Sequence, residues 1–73
     1  MTIRVYVNAT PVDVEAGLTA IECVRAWRSG EAEAVEAGTR IITDSRGLPI
    51  STDAPARAGS IYRTIGTRPS APG

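Results

Sequence analysis

The chain contains no histidine, no lysine and only one cysteine. Without histidine it lacks the commonest general base and the commonest metal ligand among side chains. The single thiol, Cys23, closes no internal disulfide and is too few for a cysteine-ligated iron–sulfur cluster or a structural zinc site. Excess charge is missing as well. Eight arginines balance eight acidic residues, so the basic surplus of a nucleic-acid binder is absent and no nucleic-acid partner is expected. No apolar run reaches the roughly 18 residues needed to span a bilayer, so no membrane partner is expected either. A charged segment followed by an apolar one is absent from the start of the sequence, which reads at once as a strand (Met1-Thr2-Ile3-Arg4-Val5). A secretory leader is therefore not predicted, and the expected compartment is the cytoplasm.

What is present is short. Seventy-three residues predict one domain with a thin core, because a chain of this size buries only about 60% of its unfolded surface. A ligand pocket of about 300 Å³ or more would consume much of that core. Together with the missing histidine, this argues against an enzyme. No cofactor is predicted.

Along the chain, Ile3, Val5 and Val7 alternate with Arg4 and Tyr6, the signature of a half-buried strand. Asn8-Ala9-Thr10-Pro11 has turn chemistry, since Asn tolerates positive φ and Pro cannot donate to a ladder. Alternation resumes at Val12 and Val14 against Asp13 and Glu15, which predicts a hairpin that ends at Ala16-Gly17. A helix follows. Thr19-Ala20-Ile21-Glu22 fits a capping box, with Leu18 and Cys23 placed as a hydrophobic staple. Ala20, Ile21, Val24 and Trp27 form its core stripe, Cys23 is a small core filler, and Trp27 plugs the end of the core.

Residues 29–38 predict a shorter helical piece that stops at Gly38. Its Glu31, Glu33 and Glu36 read as a solvated face. Thr39–Thr43 predicts a strand, Asp44–Gly47 a tight turn, and Leu48-Pro49-Ile50 a short edge strand marked by its proline. Residues 51–59 form a loop and residues 60–66 the last strand. The domain is expected to span residues 1–66, and residues 67–73 form a Pro-rich tail.

The pattern Val5-Tyr6-Val7-Asn8, then Val12-x-Val14-x-Ala16-Gly17-x-Thr19 and an amphipathic helix, resembles the bacterial sulfur carriers of thiamin and molybdopterin synthesis. It also resembles ubiquitin-like proteins more broadly. Ala58-Gly59-Ser60-Ile61 resembles the G-D-x-I/V turn that opens the last strand in those families. The resemblance covers roughly residues 2–66. It implies an α+β fold of the β-grasp type: a mixed sheet of about five strands packed on one main helix, with the first and last strands central and parallel.

The family's chemistry lies at its C-terminus, where an activating enzyme adenylates the carboxylate of a Gly-Gly tail. Here the sequence departs, ending Ala71-Pro72-Gly73. Two readings follow. In the first, the chain is a non-catalytic module that binds a protein partner. In the second, it is a sulfur carrier or protein modifier whose Gly73 carboxylate is activated by an adenylating enzyme. The absence of lysine fits either codon bias in a GC-rich genome or a modifier that lacks acceptors on itself.

Ubiquitin-like proteins commonly bind partners through the open face of the sheet. If the first and last strands are neighbours, Tyr62 and Thr64 lie beside Arg4 and Tyr6 on that face, joined by Arg40 or Ile42. Such an aromatic–arginine patch reads either as an interface centre or as cross-strand tyrosine stacking. Ile61 and Ile65 are then expected in the core, which leaves Arg63 in need of a bulge or of a rim partner such as Asp44 or Asp53. The open face allows either a monomer or a weak homodimer.

Overall fold

A computed structural model describes residues 1–67 of the chain. The elements run β1 (Thr2–Val7), β2 (Thr10–Glu15), α1 (Ala20–Trp27), α2 (Ser29–Glu36), β3 (Arg40–Thr43) and β4 (Ile61–Gly66). The fold is α+β. The four strands form one mixed sheet in the order β2-β1-β4-β3. β1 and β4 are its two central strands and run parallel, while β2 and β3 pair antiparallel at the edges. Among the described residues no helix is long and apolar enough to cross a membrane.

The β1–β2 hairpin closes on two residues, Asn8 and Ala9, at φ 51° and 68°. Positive φ at both central positions is the type I′ geometry, whose twist matches that of the flanking strands. Ala16 N donates to Met1 O at 2.7 Å, which makes Ile3↔Val14, Val5↔Val12 and Val7↔Thr10 the doubly bonded pairs of the register. Tyr6↔Pro11 is then a non-bonded pair. The ring of Pro11 sits where an amide would point off the sheet edge, as strand prolines require.

Helix α1 starts as the sequence predicts. Glu22 Oε1 accepts from the Thr19 amide at 2.8 Å and from the Thr19 hydroxyl at 3.0 Å. Two further amides at this end are taken by the long loop, Ala20 N by Ala54 O and Ile21 N by Thr52 O. A single extended residue, Arg28, ends α1 and starts α2, and its guanidinium lies 4.7 Å from the centre of the Trp27 ring. Helix α2 ends in a Schellman motif. Gly38 takes φ 87°, while Thr39 N reaches Ala34 O and Gly38 N reaches Val35 O. The two helices are equal in length at eight residues each, rather than one main helix and a fragment.

Both helices cover one side of the sheet. Val5, Val7, Val14, Ile42 and Tyr62 meet Ala20, Cys23, Val24, Ala32 and Val35 there. Trp27 is only partly buried against this cluster. The expected fifth strand at Leu48-Pro49-Ile50 is a single bridge, Thr43↔Pro49, because a proline cannot donate to a continued ladder.

Candidate functional site

The residues expected to share the open face divide between the two sides of the sheet. Arg4 and Tyr6 are exposed on it. Tyr62 (3% exposed), Thr64 (8%) and Ile42 (2%) point the other way, into the core. Arg40 is half-buried and pairs with Glu31 at 3.1 Å. The reason is the phase of β4. Tyr6 pairs with Ile61 and Val7 with Tyr62, and paired residues of adjacent strands share a face. Buried Val7 therefore takes Tyr62 inward, and Tyr6 keeps Ile61 outward.

No bulge intervenes. The β3–β4 register runs unbroken from Arg40↔Gly66 to Thr43↔Arg63. Arg63 needs neither of its expected rim partners, because it lies on the exposed face. Asp44 instead pairs with Arg46 at 3.5 Å, and Asp53 accepts from the Ser51 hydroxyl.

The inward phase is stabilised by polar contacts that the sequence did not advertise. Asn8 Nδ2 donates to Thr64 Oγ1 at 2.9 Å, and Thr64 N donates to Asn8 Oδ1 at 3.0 Å. The Thr64 hydroxyl in turn donates to Glu31 Oε2 at 2.6 Å, and that carboxylate also holds Arg40. Glu31 is thus part of a half-buried network rather than of a solvated face. Glu36 pairs with Arg25 at 2.7 Å, and Glu33 alone of the three is simply exposed.

The open face is consequently built from other residues. Tyr6 (37% exposed), Ile61 (46%) and Ile65 (45%) are exposed apolar side chains on it. Ile41, opposite Ile65, is half-buried beside them. Arg63 lies between Ile61 and Ile65. Arg4 flanks Tyr6 and is bound to Asp13 across the hairpin at 2.9 Å. This bond and the adjacent guanidinium charge hold the Asp13 carboxyl below its ordinary range. One signal in the sequence pointed to this arrangement. Burying the Arg63 guanidinium costs far more than exposing two isoleucines, so Arg63 should have set the phase of the strand.

Elsewhere the chemistry is closed. Cys23 is fully buried, and burial, followed by the nearby Glu22 charge, raises its thiol pKa. Burial likewise raises the phenol of Tyr62. No pocket opens among the described residues, and no cluster of three potential metal ligands forms among them. Gly73, the terminus of the carrier reading, lies outside the described residues. Compared with known proteins, the chain matches no family model, no curated protein and no solved structure.

Proposed function

We propose that this chain is a β-grasp, ubiquitin-like domain that serves as a non-catalytic protein-binding module. Its contact surface is the open face of the sheet. Two features support the β-grasp reading: the parallel central pair β1–β4, and the order β2-β1-β4-β3 with both helices on one side.

The observation that carries the functional reading is the row Tyr6, Ile61 and Ile65. These are three large apolar side chains left exposed on one face, Tyr6 beside Ile61 and Ile65 beyond Arg63, on a sheet whose other face is packed against both helices. In a small domain such exposure lowers solubility and contributes nothing to the core, and contiguous exposed apolar surface marks interaction sites. Arg4 and Arg63 beside it supply the aromatic–arginine composition of an interface centre.

The test is recovery of the tagged chain from its own cells as wild type, Ile65→Asp and Glu33→Arg, with folding of each variant checked by circular dichroism. Glu33 lies on α2, away from the open face. A partner lost with Ile65→Asp and kept with Glu33→Arg supports the reading. Equal recovery with both variants contradicts it.

A further inference from the structure

The open face carries one charge that the described residues leave unanswered. Arg4, Arg25, Arg40 and Arg46 each meet a carboxylate within ion-pair distance, and Arg28 stacks on Trp27. Among the described residues Arg57, in the loop before β4, and Arg63, on the open face, meet neither a carboxylate nor an aromatic ring. Neither β3 nor β4 contains an acid. The acids of the open face, Asp13 and Glu15, lie on the far edge strand and are already taken by Arg4 and by the N-terminal amine.

Arg63 also sits at the middle of the apolar surface. Tyr6 and Ile61 lie on one side of it along the sheet, and Ile65 and Ile41 on the other. A closed dimer of two copies centred on this surface would bring its two Arg63 guanidinium groups together, since an isologous interface sets each patch against itself. Like charges brought together in this way oppose association.

We propose that the open face takes a partner other than a second copy of this chain, and that this partner presents an Asp or Glu carboxylate, surrounded by apolar side chains, to Arg63. This rests on the sheet face being the contact surface. Arg63 then has two roles. It selects an acidic partner through a charge-assisted hydrogen bond inside an apolar rim, and it blocks self-association of an otherwise sticky surface.

A displayed random-peptide library, selected against the folded protein, tests this. Binders should be enriched in Asp or Glu next to Leu, Ile or Phe. They should lose affinity for Arg63→Glu by about 30-fold or more and retain most of it for Arg63→Lys. Selection against Arg63→Glu should return Lys- or Arg-bearing peptides instead. In sedimentation, the wild type should remain monomeric and Arg63→Leu should self-associate. Binders that are lost with Ile65→Asp but show no acidic enrichment and no response to Arg63→Glu overturn the charge inference and leave the sheet-face reading standing. Binders that ignore Ile65→Asp overturn both. A wild-type dimer disrupted by Ile65→Asp overturns the exclusion of a second copy.

Discussion

Asn8 and Thr64 stand 56 positions apart in the chain, yet they exchange two hydrogen bonds, Asn8 Nδ2 to Thr64 Oγ1 at 2.9 Å and Thr64 N to Asn8 Oδ1 at 3.0 Å. The Asn8 main-chain amide meanwhile reaches Tyr62 O at 2.9 Å. At Asn8 the backbone leaves β1 to turn back into β2. Its side-chain amide takes the place of the next strand residue and continues the ladder along β4. One residue thus closes the hairpin, with φ 51°, and fixes the phase of the neighbouring parallel strand.

Replacing Asn8 separates these two duties. Asn8→Gly keeps the left-handed conformation and removes both side-chain bonds. It should lower stability by about 1–3 kcal/mol, given about 0.5–1.5 kcal/mol for each bond. Urea unfolding measures this. A glycine variant as stable as the wild type would show that the bonds do not stabilise the fold.

Ala9 is the opposite case. At φ 68° it holds a conformation that L-residues avoid, and its side chain makes no hydrogen bond in return. Ala9→Gly creates the Asn-Gly sequence that type I′ hairpins prefer and should raise stability by about 1 kcal/mol. A thermal melt should show an increase of several degrees.

The local chemistry of these elements was legible in the sequence. The hairpin, the Thr19–Glu22 cap and the Gly38 stop depend on neighbours within a few residues. The cap and the stop form where their residues predict, and the hairpin forms with a tighter turn, Thr10 and Pro11 belonging to β2 rather than to the turn. The phase of β4 was not legible in the same way. In Ile61–Gly66 both parities carry apolar side chains, so alternation alone does not choose between them. The choice is made by partners remote in sequence: Val7 beside Tyr62, and Asn8 and Glu31 at Thr64. The candidate face therefore kept Arg4 and Tyr6, lost Ile42, Tyr62 and Thr64 to the core, and gained Ile61, Arg63 and Ile65. Arg40 went to the Glu31 pair for the same reason, since Glu31 reads as solvated until Thr64 is placed beneath it.

That pair is itself testable. Glu31 accepts from both the Thr64 hydroxyl and Arg40, and it is mostly shielded from water. Glu31→Ala should cost about 1.5–3 kcal/mol, the range for hydrogen bonds to a charged group. A double-mutant cycle with Arg40→Ala should show coupling between the two residues. Strict additivity would mean that the ion pair contributes nothing.

Stability should fall at both ends of the pH scale. The carboxyls of Asp13, Glu22 and Asp44 are held below their ordinary range, by Arg4, by the Thr19 amide and hydroxyl, and chiefly by the Leu48 amide respectively. Groups with a lowered folded pKa contribute stability above the unfolded value, about 4, and lose it as pH falls through the folded one. The Cys23 thiol and Tyr62 phenol are raised by burial. Their contribution is present below the unfolded values, about 8.5 and 10, and is lost as pH rises. Urea midpoints measured against pH should therefore form a dome. Asp44→Asn should soften its acid side, and Cys23→Ala should soften the first part of its alkaline side. A flat acid side would contradict the assigned carboxylate contacts.

The most direct measurement of the central claim is site-specific photo-crosslinking in the cells that make the protein. One variant carries a benzophenone amino acid in place of Tyr6 on the open sheet face, and another in place of Glu33 on α2. Mass spectrometry identifies what each captures. A defined protein other than this chain, attached at position 6 and not at position 33, is the predicted result. Capture from position 33 alone, or of the same proteins from both positions, would contradict the assignment of the open face as the binding surface.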